Sequence, residues 1–288
     1  MPAPTPPVPQ LTAVVVSHDS GAFLHACVAD LLAQDVAMQV VVVDNGSRDG
    51  APDALPSDPR LTLVRNPDNP GFATACNQGA AQARAASLLF VNPDCRLPPD
   101  AASRLLAHLA AAPELGILGA RLLNPDGSDQ AAAQRRTPLP GRAIAQALGR
   151  CPVPQPRAGS GALLDVEATS GALMLMPRDV FESLGGFDGG YVLHCEDLDL
   201  CRRALLAGWR IAIATDVKII HAKGTSSRRR PVWVEWQKHR GMWRYFHRFD
   251  AATSPWWLRA LVRLGIAAHF PLAAARACWR VLAHSRPD

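Results

Sequence analysis

No glycine-rich phosphate loop of the GxGxxG or GxxxxGK[ST] kind occurs in the 288 residues. That argues against a dinucleotide dehydrogenase and a P-loop NTPase, so any bound phosphates must be held by basic side chains and a metal. No CxxC and no zinc spacing appears among the seven cysteines, and their number is odd. Most have apolar or small neighbours, so reduced, buried thiols of a cytoplasmic protein are expected. No internal repeat is visible. Residues 1–10 hold no charge and five prolines. They read as a flexible leader, and without a basic start and an apolar core they do not read as a signal peptide. The apolar stretch Trp256–Phe270 is too short, and with Arg259 and Arg263 too charged, to span a bilayer comfortably.

What is present suits one large domain, or one with an appendage. Hydrophobic residues make up 48% and charged residues 19%, enough for a sizeable core. The net charge of +5 is unevenly spread: from His221 onward thirteen Lys and Arg face three acids, whereas residues 1–220 carry seventeen against twenty-two. An acidic body with a basic end points to an anionic partner for that end, such as a membrane surface or a phosphate-bearing substrate.

Short β-branched or apolar runs alternate with helical spacing. Leu11–Ser17, Val40–Val43, Leu61–Val64 and Ser87–Val91 read as strands, and Phe23–Leu32, Phe72–Ala86 and Pro99–Ala112 as helices. Continuous apolar strands favour an α/β fold whose mainly parallel sheet is covered on both faces. Pro138–Gly161 reads as a long loop. A strand at Gly171–Pro177, a short helix in "RDVFESLGG", a helix ended by Gly208 and a strand at Ile211–Ala214 follow.

Each early strand ends in polar residues: Ser17-His18-Asp19, Asp44-Asn45-Gly46-Ser47, Arg65-Asn66 and Asn92-Pro93-Asp94. In open parallel sheets, ligands bind beyond the carboxyl ends of the strands. A carboxylate there can accept from a base or a ribose, an arginine suits phosphate and a further carboxylate suits a divalent cation. Loops also need polar residues, which explains any one tip equally well.

Six blocks carry more than the tips do. "VVVSHDS", "VVVDNGSRDG", "NPDNPGFATACNQGA", "LLFVNPD", "TSGALMLMPRDVFESLGGFD" and "HCEDLDLCRRALLAGWRI", in that order, resemble a family 2 glycosyltransferase of the GT-A fold, nearest the rhamnosyltransferase-like branch. The likeness covers roughly residues 11–224. It implies a catalytic domain over 11–225 and a basic, aromatic helical extension over 226–288. By the same resemblance Asp44, with His18 and Asp19 nearby, contacts the base of the donor. Arg65, Asn69, Gly71, Phe72 and Asn77 pack around the nucleotide, and Asn92-Pro93-Asp94 fills the DxD slot. Asn92 is an uncharged oxygen ligand there, so Asp94 becomes the main carboxylate for Mg²⁺ or Mn²⁺. His221 matches a histidine that completes metal coordination, although a lone histidine is equally a structural residue. Gly171 lines the acceptor side. Asp197 is cast as general base with Glu196 beside it, and two adjacent acids are expected to raise each other's pKa. Glu196, Asp197 and Asp199 also suit the first turn of a helix with Arg202 and Arg203 as partners, and Asp199 is read in that way.

The resemblance further implies a nucleoside diphosphate sugar donor, dTDP- or UDP-linked, and a polysaccharide or lipid-linked glycan acceptor. Lys223, Arg228 and Arg229 are candidates to close over the diphosphate. Basic residues mixed with aromatics also occur in nucleic-acid binders, but no recognition motif is present and the body is acidic. The stretch from Trp256 reads either as an interfacial helix on the inner face of the plasma membrane or as one packed on the catalytic domain or on a second subunit of a homodimer. A sugar nucleotidyltransferase and a non-catalytic nucleotide-sugar-binding protein that docks on membranes are the rival readings.

Overall fold

The computed structural model describes residues 8–130, 133–135, 137–138, 162–222 and 230–284. Most of the expected loop at 138–161, most of the leader, and Lys223, Arg228 and Arg229 lie outside them.

The strands β1 (Leu11–Ser17), β2 (Met38–Asn45), β3 (Leu61–Asn66) and β4 (Ser87–Val91) run parallel in the order β3-β2-β1-β4. Further along the chain come β5 (Cys95–Arg96), β6 (Leu115–Leu123), β7 (Gln134–Arg135), β8 (Leu163–Asp165), β9 (Ala168–Thr169), β10 (Leu173–Pro177) and β11 (Arg210–His221). The order continues β4-β10-β6-β11-β5, with β10 antiparallel to both neighbours and β6 parallel to β11. The carboxyl ends of β1, β2, β3, β4, β6 and β11 therefore share one edge of the sheet.

The run of four valines in β2 is buried throughout because both faces are covered. Alternation sends Val40 and Val42 to one side, with α1 (Ala22–Leu32) and α3 (Ala101–Ala111), and Val41 and Val43 to the other. On that second side lie α2 (Phe72–Ala81), α4 (Arg178–Ser183) and α5 (Glu196–Leu206). Phe90, Phe181 and Phe187 meet edge-on or tilted there with centroids 5.0–5.7 Å apart. Each such aromatic pair adds about 1 kcal/mol beyond area burial.

Three sequence expectations change. First, α2 stops at Ala81 rather than Ala86. The Arg84 and Ala85 N–H groups donate to Gln39 Oε1 and Thr12 Oγ1, so side chains of the sheet pull the chain out of the helix. Second, "LGILGARLL", for which the sequence reading offers no element, forms β6. Its glycines weaken the strand signal, yet they are required: a Cβ on Gly116 would lie 2.6 Å from Trp209 Cβ and one on Gly119 2.2 Å from Thr169 Oγ1. Third, the stretch from Trp256 continues as one helix to His284. Over Trp256–Trp279 it is long and apolar enough to cross a membrane by length and composition, which corrects the judgement made on the first fifteen residues. This helix, α7, packs on α6 (Pro231–Phe249).

Among the described residues the cysteines are free thiols, five of them buried. Burial pushes the Cys195 and Cys201 thiols up to about 12 and Cys27 higher still. Native protein treated with iodoacetamide near pH 8 is therefore expected to lose none of these five thiols, in contrast to denatured protein; mass mapping of the labelled peptides checks this.

Candidate active site

Register lines up the tips. Ser17 pairs with Asp44, and Asp44 with Arg65. Asp44 is only 3% exposed; its Oδ1 accepts the Ser47 N–H at 3.0 Å, and Arg65 Nη1 lies 3.8 Å from its Oδ2. Arg65 also reaches Asp53, so it bridges two acids beside the crevice. His18 donates from Nδ1 to the Asn45 carbonyl at 2.9 Å, which leaves Nε2 as its acceptor nitrogen. Asp19, in a left-handed conformation, accepts the Arg48 N–H while its own N–H donates to Ser47 Oγ.

Asn45 is a hub that the motif reading missed. Its amide donates to Asn69 Oδ1 and to the Gly71 carbonyl, and accepts from Asn66. The Gly71 backbone is left-handed (φ 98°), and a Cβ there would lie 2.8 Å from the Val192 carbonyl oxygen. Gly71→Ala is expected to cost roughly 2 kcal/mol or more; the midpoint of urea denaturation measures it. Phe72 packs edge-on against Phe187. Both amide atoms of Asn77 bond the Phe187 backbone, as donor to its carbonyl and acceptor of its N–H. Asn77 clamps the 187–195 loop.

Beyond β4, the loop Asn92–Asp94 meets the end of β11. Asp94, Cys95 and His221, all buried, place one ligand atom each within 4.8 Å of one another. His221 Nε2 is 3.2 Å from Asp94 Oδ1. The other ring nitrogen is 3.0 Å from Gln130 Oε1, while Gln130 Nε2 donates to the His221 and Leu123 carbonyls. Those two carbonyls fix the amide orientation, so Nδ1 must carry a hydrogen. Nε2 then has its lone pair toward a carboxylate oxygen, an arrangement that calls for a proton or a cation between them. The site thus fits a divalent cation, and Gln130 is its orienting partner. Cys95 donates its thiol to the Ala172 carbonyl and burial raises its pKa well above the ordinary value, so it is a poor third ligand.

Glu196 and Asp197 open α5, both buried. Asp197 Oδ2 accepts the Gly171 N–H at 2.9 Å and pairs with Arg135 Nη2; Oδ1 accepts the Leu198 N–H. Glu196 Oε2 is buried with no hydrogen-bond partner among the described residues. The two acids do not raise each other equally. Burial, then the Asp197 charge, pushes Glu196 above the ordinary range. Burial acts on Asp197 too, but the Arg135 charge and the backbone donors outweigh it and hold Asp197 below its ordinary value. A neutral Glu196 in the fold means that stability declines as pH rises above the unfolded Glu value. Glu196→Gln is therefore expected to raise Tm more at alkaline than at mildly acidic pH, as followed by calorimetry. Asp199 is fully buried and binds Arg203 Nε at 2.6 Å and Tyr191 Oη at 3.1 Å, whereas Arg202 turns to Asp250.

The two acidic centres meet at one dipeptide. Gly171 N–H holds Asp197, and the Ala172 carbonyl accepts the Asn92 N–H at 2.9 Å and the Cys95 thiol. Asn92–Asp94 and Asp197 thus flank Gly171–Ala172 at the mouth of the sheet. Arg135, which also donates to the Thr169 carbonyl, was invisible in the sequence because its two-residue strand carries no periodic signal.

Among curated proteins the chain is 29% identical over 241 residues to an N-acetylglucosaminyl-diphospho-decaprenol L-rhamnosyltransferase of Mycobacterium tuberculosis, covering 77% of this chain and 78% of that one. It is 30% identical over 228 residues to the O-antigen biosynthesis protein RfbC of Myxococcus xanthus, covering 76% of this chain but 18% of that protein. Among solved structures it resembles a mannosyltransferase from Pyrobaculum calidifontis in complex with GDP-Man and Mn²⁺: TM-score 0.61, 22% identity, 99% of this chain and 79% of that one. It also resembles GalNAc-T7 with UDP, GalNAc and Mn²⁺: TM-score 0.59, 15% identity, 84% of this chain and 48% of that one. At these identities the structures speak for the fold, which is GT-A. The family model described as glycosyl transferase family 2 matches residues 12–185, more than half of the chain, and the chain belongs to that family.

Proposed function

We propose that this glycosyltransferase inverts the anomeric centre as it moves a sugar, L-rhamnose from a dTDP donor in the reading we favour, to a hydroxyl of a polysaccharide or lipid-linked glycan. The junction at Gly171–Ala172 carries the proposal, because it sets a cation-type site and a carboxylate pair at one mouth. Support for the sugar and for a lipid-linked acceptor comes from the mycobacterial relative, an N-acetylglucosaminyl-diphospho-decaprenol L-rhamnosyltransferase.

In this reading Asp44 accepts from the base, with the Arg65 guanidinium beside it. Asp94 and His221 would hold a divalent cation, with Asn92 near it, and that ion would supply positive charge to the leaving diphosphate. Asp197 accepts the hydroxyl proton as the acceptor oxygen bonds to the anomeric carbon. The bond from that carbon to the diphosphate oxygen breaks, and the diphosphate leaves with the electron pair. A second reading rests on the raised pKa and unpartnered Oε2 of Glu196: it, rather than Asp197, is the base. Incubation with dTDP-rhamnose, UDP-sugars and GDP-mannose, Mn²⁺ or Mg²⁺, and diphospholipid-linked N-acetylglucosamine tests the assignment. Turnover of dTDP-rhamnose is expected, and preference for another donor would overturn the choice of sugar.

A further inference from the structure

The helix α7 leaves an apolar stripe that nothing covers within the described residues. Trp257, Leu261, Leu264, Leu272 and Trp279 are exposed at spacings of four, three, eight and seven residues, with exposed Ala268 and Ala275 completing the register. These spacings put all seven on one narrow face. The opposite face packs on α6: His269 bonds His239 at 3.0 Å, Phe270 meets Trp236 edge-on, and the Arg263 guanidinium lies 5.6 Å over Trp243. Only 11% of the most apolar stretch is buried.

Charge identifies the occupant. Residues 256–284 contain no acid, while this helix carries Arg259, Arg263 and Arg276, the last of them beside the stripe. Beside α7, where Arg263 covers Trp243, a pocket of about 530 Å³ is lined by Gly190, Arg240, Trp243, Arg244, His247 and Arg248. Asp188 neutralises part of the charge of Arg244 and Arg248. Arg240 and Arg263 form no ion pair among the described residues. A second copy of this chain would bring the same cations against one another, whereas an anionic surface complements them.

Length alone would let α7 cross a bilayer, but its packing forbids this. α6 lies along it and carries Arg240, Arg244 and Arg248, which could not follow into hydrocarbon without a cost of roughly 3 kcal/mol each. We propose that the α6–α7 pair is a docking surface for a bilayer of anionic phospholipids. The Trp257–Trp279 stripe enters the interface, and Arg240, Arg263 and the adjoining pocket engage lipid phosphates. Its test reads vesicle binding and needs no turnover.

The full chain is to be floated with vesicles of phosphatidylcholine alone and of phosphatidylcholine with phosphatidylglycerol. Binding is expected only to the anionic vesicles, to weaken with salt, and to be released by alkaline carbonate. The double substitution Trp257→Ser with Leu264→Ser should abolish flotation. Arg240→Gln with Arg263→Gln, which removes two charges and the Arg263 contact with Trp243 but leaves the apolar stripe intact, should weaken it roughly tenfold. Circular dichroism and nucleotide binding are expected to be unchanged in both. The inference is overturned by equal binding to neutral vesicles, by retention after carbonate treatment, by flotation that survives both double substitutions, or by a non-floating dimer in light scattering whose interface the stripe substitutions break.

Discussion

Asp197→Asn should lower turnover by roughly 10²–10⁴-fold while changing the dissociation constant for the nucleotide-sugar by no more than a few-fold. The reason is local. Asn keeps the shape, but its single amide oxygen can accept only one of the Gly171 and Leu198 N–H groups, and it cannot take the acceptor proton. It also leaves the Arg135 charge without its partner, so a stability loss of roughly 2–4 kcal/mol is expected. Transfer must therefore be assayed well below the variant's melting temperature, with donor binding by calorimetry as the control for folding. Full turnover in the folded variant would remove Asp197 from the chemistry.

The pH profile then separates the two carboxyls. With Asp197 as base, held low by Arg135, turnover stays flat through neutrality and falls only in acid as the proton returns. With Glu196 as base, the group is protonated at neutral pH and turnover climbs as pH rises through its elevated value. Glu196→Gln should leave the wild-type profile and most activity intact in the first case. In the second it should match the loss expected of Asp197→Asn.

The second large effect concerns the cation. Asp94→Ala is expected to abolish measurable Mn²⁺ binding, read by electron paramagnetic resonance on protein without substrate. Gln130→Ala, which removes the partner of His221 and none of the proposed ligands, should weaken it by roughly 10–100-fold. The amide of Gln130 holds both His221 Nδ1 and the His221 carbonyl; without it the ring is free to rotate and its Nε2 lone pair no longer converges with Asp94. Unchanged affinity in Gln130→Ala would mean that the His221 backbone alone positions the ring.

Both predictions rest on residues of unequal visibility. Asp44, Asn92, Asp94, Glu196 and Asp197 stood out because each follows an apolar run or opens a helix, where polar side chains demand a reason. Gln130 and Arg135 had no such contrast: they sit in polar surroundings, and their roles exist only because β6 and β7 bring them to β11 and α5. Asn77 was visible in its motif block, but its bonds to the Phe187 backbone, 110 residues along the chain, were not.

Local forces were enough to place the four parallel strands, the helices between them and the polar strand ends. Apolar periodicity and turn chemistry act within a few residues, so one sequence carries them. The split of charge between Glu196 and Asp197, the tautomer of His221 and the bare stripe of α7 were decided by tertiary structure. Each depends on a partner far along the chain, and electrostatic energy in a buried site follows distance through space rather than separation in sequence.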